Sequence, residues 1–261
     1  MNTGKVSERL KKKDKRTILL ICVTAFMALL ALISIFFVIR SYLPVREFEL
    51  SGVTQYEKPV VVSASGIRPG DKIYSLDLEA AKKNILSQLP YIQSVEIERN
   101  LFGKIVFRVE ERRAVWYMQL SGDYYALDSA LTVIEETSKN DKFIGGGATY
   151  LVLPNLQTLM CGEVPKFGSG EVEVVRTLEL INAVQSDPLK SRITSLDVES
   201  RFNVYLTIDG IYDVYIGDMS NVTEKLLVVR KLLESGDLDE FKGASIDVSD
   251  PESMVVKPKY E

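Results

Sequence analysis

Residues 17–39 read TILLICVTAFMALLALISIFFVI, an uncharged stretch of 23 residues that decides the architecture of the chain. A helix rises about 1.5 Å per residue, so this stretch would extend about 34 Å and exceed a hydrocarbon core of about 30 Å. A cleaved signal peptide is the alternative, but its apolar core is about 7–15 residues and ends at a small-x-small site. Here the longer run meets RSYLP at residues 40–44. The sequence therefore predicts an uncleaved transmembrane helix over residues 17–39.

The charge on either side of this helix is unequal. Residues 1–16 contain seven Lys or Arg and two Asp or Glu, a net charge of +5, so the −4 of the whole chain leaves −9 for residues 17–261. Basic residues favour the cytoplasmic side, which predicts a cytoplasmic tail at residues 1–16 and a C-terminus outside. The acidic outer part argues against binding nucleic acid or anionic lipid through its bulk surface.

The residue inventory is poor in catalytic and metal-binding groups. The sequence has no histidine, which excludes Ser-His and Cys-His catalysis and removes the commonest zinc ligand. Its two cysteines are Cys22, inside the apolar helix, and Cys161, outside it, so they cannot pair with each other. Cys161 fits an exposed loop thiol or a small buried side chain equally well. We expect no catalytic residue, no cofactor and no metal site.

The first outer segment has the pattern of a small α+β unit. Phe48 and Leu50 alternate on one face of a strand, and Pro59 and Gly66 suit the start and the end of a helix. Two alternating stretches later in the segment predict a hairpin with one buried face. The predicted elements are a strand over 45–50, a helix over 59–66, a helix over 78–89, and strands around 95–97 and 105–109.

The second outer segment, from Ala114, is richer in strands. A helix of about 15 residues is predicted from Gly170, because apolar residues follow at helical spacing. A second helix is predicted to begin with a capping box at Asn221-Val-Thr-Glu224. Residues 139–147 are expected to be a loop, and Trp116 is expected in the core. The predicted strands are 116–120, 124–127, 131–134, 193–198, 203–208, 212–216, 244–248 and 254–257.

The last predicted strand, Met254–Lys257, is a candidate partner-binding site. If it lies at a sheet edge, its unpaired N–H and C=O groups can accept a partner strand by β-augmentation. Pro258 and the flanking lysines can equally protect an idle edge, and the residues alone leave both readings open. A second candidate surface is the helix over 78–89 with the strand over 104–110.

Several short motifs follow one another along the two outer segments. They are Phe48-Glu-Leu-Ser-Gly52, Ser65-Gly-Ile-Arg-Pro-Gly70, Ile73-Tyr-Ser-Leu-Asp77, Leu89-Pro-Tyr-Ile-Gln-Ser-Val95, Val109-Glu-Glu-Arg112, Tyr124-Tyr-Ala-Leu-Asp128, Leu153-Pro-Asn-Leu156, Ile216-Gly217 with Lys225-Leu226, and Ile246-Asp-Val248. Together these motifs resemble the FtsQ/DivIB family of bacterial cell-division proteins, and the first outer segment resembles their POTRA domain. Two departures concern turns only: Leu101-Phe-Gly103 replaces an aromatic-Pro turn, and Ser129-Ala130 follows Asp128 where a glycine is usual.

The resemblance implies an α+β fold: one N-terminal transmembrane helix, a POTRA domain of order β-α-α-β-β, and a mixed β-rich domain with two helices. The implied boundaries are residues 1–16 for the tail, 17–39 for the membrane helix, 45–113 for the POTRA domain, 114–250 for the β-rich domain and 251–261 for the terminal strand and tail.

The resemblance also implies a non-enzymatic scaffold of the divisome in the cell membrane at the division septum. It would bind and stabilise small bitopic proteins, FtsL-like and FtsB/DivIC-like, help control septal wall synthesis, and use neither nucleic acid nor a small-molecule substrate. The implied partner-binding residues are Ile246, Met254, Val255, Val256 and Lys257.

Two other functions are weighed against the scaffold. A POTRA protein of secretion or outer-membrane assembly usually carries a large β-barrel, and no strand ladder of that size is present in the sequence. A tethered wall hydrolase needs a carboxylate pair, an activated nucleophile or a metal, and Glu110-Glu111 and Glu135-Glu136 fit solvated strand ends better.

Overall fold

The computed structural model describes residues 3–52, 55–100, 102–168, 170–238 and 240–259. These residues divide into two compact units. The first contains the N-terminal helix and most of the elements up to residue 108. The second contains the elements from residue 109 onward together with the segment 85–94.

The chain begins with helix α1, Thr3–Ser41, which includes the predicted apolar segment. In the described part of the chain, Leu19–Val38 is the one stretch of helix long and apolar enough to cross a membrane. Its apolar side chains from Leu19 onward are exposed, as expected for a helix whose surroundings are lipid rather than protein. The predicted N-terminal apolar helix is therefore confirmed.

The following elements have the predicted order strand, helix, helix, strand, strand. Helix α2 begins with Pro59 in its first turn and ends at Gly66, which adopts the left-handed conformation with φ 74° that suits glycine. The strands form a sheet in the order β1-β3-β2, with β1 parallel to β3. The elements are β1 (Glu47–Ser51), α2 (Lys58–Ser65), a 3₁₀ helix (Ile73–Ser75), α3 (Leu78–Gln88), β2 (Ile92–Arg99) and β3 (Lys104–Glu111).

The second unit is built on a mixed sheet of nine strands among the described residues, in the order β14-β13-β12-β11-β10-β7-β4-β5-β6. The elements are β4 (Trp116–Leu120), β5 (Asp123–Leu127), β6 (Val133–Thr137), α4 (Asp141–Gly145), β7 (Thr149–Val152), β8 (Leu156–Thr158), β9 (Lys166–Phe167), α5 (Glu171–Ser186), a 3₁₀ helix (Pro188–Ser191), β10 (Ile193–Ser200), β11 (Asn203–Ile208), β12 (Tyr212–Gly217), α6 (Val222–Ser235), β13 (Ala244–Asp247) and β14 (Val255–Pro258).

Helices α5 and α6 cover one face of this sheet. Ile181 and Val184 of α5 and Leu226 and Val229 of α6 are almost fully buried in one cluster with the inward side chains of the strands. Trp116 is also fully buried there, as the sequence predicts. These observations confirm the predicted α+β class with a β-rich C-terminal region and two helices.

Three local predictions need correction. The segment 139–147, expected to be a loop, contains α4, because Phe143 is buried against Tyr117 with ring centroids 5.9 Å apart. The strand expected over 131–134 starts at Val133 instead. The Asp128 carboxylate accepts hydrogen bonds from the Ala130 and Thr132 N–H groups, which holds the preceding residues in a turn.

The capping box predicted at the start of α6 is also absent. Asn221 adopts a left-handed conformation with φ 51° and ψ 31°, and its side chain makes no capping hydrogen bond to the helix. A capping side chain requires an extended residue at this position. The turn that leads into α6 is organised by a different pair of residues, Asp218 and Lys225.

Candidate functional site

The strand β14 is an edge of the nine-stranded sheet. It pairs antiparallel with β13, with Val256 opposite Ile246 and Lys257 opposite Ser245, and in the described part of the chain no strand lies on its other side. The opposite edge is different, because Val133 of β6 accepts a hydrogen bond from Gly162 N–H and donates one to Glu163 C=O. The start of β6 is therefore already paired, whereas β14 is open.

The register of β14 determines which of its backbone groups face outward. Lys259 N–H donates to Gly243 C=O at 2.9 Å, and alternate residues of an antiparallel pair point to opposite sides. Val255 and Lys257 therefore direct their N–H and C=O groups toward β13, and Val256 directs both outward. Pro258 occupies the next outward position and has no N–H, so the free donors at this edge end at Val256.

The side chains of the five predicted site residues have unequal access to solvent. Val255 is 49% exposed and Lys257 is exposed, both on the outer face of the sheet. Met254 and Val256 are half-buried against the core on the other face. Ile246 is 1% exposed and lies one strand inside the edge, so its side chain supports the edge from beneath and offers no contact surface.

The outer face next to β14 carries a cavity of about 350 Å³. Val255 and Lys257 line it together with Tyr205 of β11 and Tyr215 of β12. The two tyrosine rings pack with centroids 5.0 Å apart, and Tyr215 Oη donates to Asn203 Oδ1 at 3.0 Å. Tyr205 is nevertheless 48% exposed. Large aromatic side chains that remain exposed in a pocket are typical of protein-binding surfaces.

Sequence reasoning missed the two tyrosines, although a signal was present. In β11 and in most of β12 buried residues alternate with more accessible ones, and the tyrosines occupy accessible positions of that alternation, Tyr205 exposed and Tyr215 half-buried. An aromatic residue on the solvent side of a half-buried strand could have been recognised as a candidate contact. What the sequence could not provide was their position next to the terminal strand, since β14 follows Tyr205 by about fifty residues.

The end of β12 and the turn after it fix the strands beneath this surface. Gly217 has φ 76°, and a Cβ added there would lie 2.7 Å from Ser249 Cβ, so only glycine allows the chain after β13 to approach this closely. Lys225 of α6 is 2% exposed, and its Nζ donates to Asp218 Oδ1 at 3.0 Å and to Asp218 C=O at 3.2 Å. Hydrogen bonds from Ser220 Oγ–H, Lys225 and Ser220 N–H lower the pKa of Asp218 to about 2.

The second candidate surface, on β3 and α3, includes a strand that is not at an edge of its sheet. β3 is the central strand of the sheet β1-β3-β2, so its backbone groups are paired on both sides and it cannot accept a partner strand. The edges of that sheet are β1 and β2. Strand addition at β3 is therefore disfavoured by its central position in the sheet, and the surface of α3 and β3 stays a prediction for docking through side chains.

The acidic and nucleophilic side chains give little sign of a reactive site. Among the described residues, no group of three or more His, Cys, Asp or Glu side chains lies close enough to hold a metal ion. Cys161 is an exposed thiol, which decides between the two interpretations that the sequence left open. Partial burial, followed by the carboxylates of Glu136 and Glu135, raises the pKa of this thiol and so lowers its reactivity.

Comparisons with known proteins agree with the resemblance. The POTRA domain family of the FtsQ type matches residues 43–112. The chain is 26% identical over 249 residues to the cell division protein DivIB of Clostridium botulinum (strain Hall), covering 93% of this chain and 92% of that protein. It is 24% identical over 246 residues to the cell division protein FtsQ of Corynebacterium glutamicum, covering 93% of this chain and 99% of that protein.

One solved structure is also similar, the major extracytoplasmic domain of the cell division protein DivIB from Geobacillus stearothermophilus. It is 14% identical, covers 50% of this chain and 97% of that domain, and has a TM-score of 0.30.

Proposed function

Because this chain is recognised as a relative of the FtsQ/DivIB cell-division proteins, we propose that it is a non-enzymatic, membrane-anchored scaffold of the bacterial divisome. Helix α1 crosses the cytoplasmic membrane with its basic N-terminus inside, and the two compact units lie outside at the division septum. The positive charge of residues 1–16 supports this orientation. Through its partners the scaffold helps control septal wall synthesis.

The observation that carries the proposal is the open edge at β14. An extended partner segment hydrogen-bonds to the outward N–H and C=O of Val256 and continues the nine-stranded sheet. Its register is limited on one side by Pro258, which offers a carbonyl but no N–H. This edge is therefore selective for a short strand that pairs around Met254–Val256 rather than for a long one.

The partners are small bitopic proteins, FtsL-like and FtsB/DivIC-like, as the family resemblance implies. A partner that enters as a strand also brings side chains near the outer-face cavity, where Val255 offers an apolar surface and Lys257 a positive charge. An apolar side chain of the partner on Val255 and an acidic one near Lys257 fit this surface. Tyr205 and Tyr215 extend the same face further from the edge.

Affinity capture of the full-length chain from gently solubilised membranes, with mass spectrometry of the bound proteins, tests the proposal. Val256→Pro removes the outward N–H and places a ring where the partner backbone would approach, while Val256→Ala keeps the N–H. We expect the native chain and Val256→Ala to capture small single-pass coiled-coil proteins. Val256→Pro should capture at least about tenfold less of them, which is equivalent to a loss of about 1.4 kcal/mol in binding free energy.

Val256→Pro is a cleaner probe than a proline at Val255, because Val255 N–H faces β13 and its loss would weaken the edge itself. Both variants must show the native thermal transition. Equal capture by the two would refute strand addition at β14. Capture of secretion or barrel-assembly components without division proteins would refute the scaffold and favour the other class of POTRA protein.

A further inference from the structure

The junction between the membrane helix and the first unit places a loop at the level of the lipid headgroups. The apolar span ends at Val38, and Arg40 follows two residues later, about 3 Å further along the helix axis. The Arg40 guanidinium lies over the ring of Tyr74, with Cζ 3.9 Å from the ring centroid. Each headgroup layer is about 5–8 Å deep, so with Leu19–Val38 in the hydrocarbon core the Arg40 guanidinium and the Tyr74 ring beneath it would lie at headgroup level.

Backbone hydrogen bonds fix this loop to the end of the helix. Ile73 N–H donates to Leu43 C=O at 3.0 Å, and Val45 N–H donates to Asp71 C=O at 2.8 Å. Pro44 and Lys72 form an isolated antiparallel bridge. The loop therefore stays at the depth set by α1 and is not a freely moving segment.

Three cations converge on two tyrosines at this level. Besides Arg40, Lys72 Nζ lies 4.8 Å from the ring centroid of Tyr42, and Arg99 Cζ lies 5.7 Å from that of Tyr74. Arg99 is further held by a hydrogen bond from its Nη1 to Ile73 C=O at 3.2 Å. We call Arg40, Tyr42, Lys72, Tyr74 and Arg99 the juxtamembrane collar.

The collar cations are exposed, and among the described residues none has a carboxylate within salt-bridge distance. The nearest carboxylates in sequence, Asp71 and Asp77, keep their charge but accept hydrogen bonds from the backbone N–H groups of Arg68 and Ala80 and form no ion pair with the collar. By contrast, Arg108, on the same unit, is paired with Glu98 at 2.9 Å. The collar therefore presents three exposed cations that no described carboxylate pairs with, on a chain whose outer part is acidic.

We propose that the juxtamembrane collar binds the phosphate groups of anionic phospholipids in the leaflet that the first unit faces. Aromatic rings and basic side chains are the residues that membrane interfaces favour, and here folding brings Lys72 and Arg99 from distant parts of the sequence to one depth. The net charge of −9 outside excludes attraction through the bulk surface, so the interaction is confined to the collar. The inference rests on α1 crossing the membrane and not on any protein partner.

Hydrogen–deuterium exchange of the full-length chain in nanodiscs tests the proposal. Discs of phosphatidylcholine alone are compared with discs that also contain the anionic lipid phosphatidylglycerol. We expect exchange at residues 70–76 to be at least about fivefold slower in the anionic discs, the factor that corresponds to one contact of about 1 kcal/mol. The readout is the ratio of the exchange rates in the two kinds of disc. A mutation that loosens the loop speeds exchange in both, so this effect cancels in the ratio.

The double variant K72Q/R99Q should bring the ratio of the two exchange rates close to one. The control K82Q/K83Q removes the same charge from helix α3 of the same unit and should leave the ratio unchanged. A ratio near one in the native chain, or an equal loss in both variants, would overturn the proposal. If inorganic phosphate alone slowed exchange at residues 70–76 in phosphatidylcholine discs, the collar would be a site for a free anion and the lipid proposal would be overturned. Partner capture should be unaffected by K72Q/R99Q, so failure of the lipid proposal is distinguishable from failure of the scaffold.

Discussion

The ion pair between the buried Lys225 and the exposed Asp218 allows a prediction whose size follows from the geometry. The Lys225 side chain is 2% exposed, while that of Asp218 is 55% exposed, and the two are joined by an N–O distance of 3.0 Å. Asp218→Ala leaves the ammonium with only the backbone carbonyl of residue 218. Removing one partner of a fully buried pair costs about 3–5 kcal/mol, and because water reaches this carboxylate we expect about 2 kcal/mol.

The matched change on the other side of the pair is Lys225→Met. It keeps the volume of the buried stem and removes the charge, while the exposed carboxylate that remains can be hydrated. We expect a loss of about 1 kcal/mol, which is the ordinary net value of a hydrogen bond and is smaller than the loss for Asp218→Ala. Urea unfolding of the full-length chain in detergent, followed by the fluorescence of its single tryptophan, measures both values.

The same pair predicts a dependence of stability on pH. The pKa of Asp218 is lowered to about 2 by Ser220 and Lys225, so its contribution is present at neutral pH and is lost as pH falls from about 4 to about 2. The shift corresponds to about 2 kcal/mol, and solvent screening of the exposed carboxylate reduces this to about 1 kcal/mol. Lys225→Met should lose less stability in this range. A cost below about 0.5 kcal/mol for Asp218→Ala, or a larger cost for Lys225→Met, would refute the reasoning.

Three further predictions concern other contacts. Gly103→Ala should lower the free energy of unfolding by at least about 1 kcal/mol, because φ is 88° and the new Cβ would lie 2.5 Å from Pro44 C=O; thermal denaturation measures it. Arg112→Ala should cost about 2 kcal/mol, since it leaves the Asp128 carboxylate, 6% exposed, without the guanidinium at 2.5 Å; Arg112→Lys should recover part of it in urea unfolding. Burial lowers the pKa of Lys190, so its charged form is unfavourable in the folded protein. The free energy of unfolding should therefore rise as pH increases from this lowered pKa to the ordinary lysine value. Lys190→Met should remove this rise when unfolding is measured over a pH series.

Local elements were predictable from the sequence wherever one periodic pattern and one terminating residue agreed. The α2 prediction succeeded because Pro59 and Gly66 act through their own backbone geometry, which no distant contact needs to supply. The apolar helix α1 was predictable for a similar reason, because the length of the run and its lack of charge are properties of the local sequence alone. The failures at α4 and β6 arose from single contacts, the burial of Phe143 and the Asp128 turn, which are invisible to periodicity.

The sequence by itself determined the long apolar N-terminal helix, the order of elements in the segment that follows it, the α+β class and the last strand as a candidate site. Only the tertiary structure decided that β14 is an open edge, that Val256 and not Val255 presents the outward N–H, and that β3 is closed on both sides. It alone brought Lys72 and Arg99 to Tyr42 and Tyr74. The physical reason is that helices and strands are selected by neighbouring residues, whereas strand order, register and charge clusters depend on contacts between residues that are far apart in the chain.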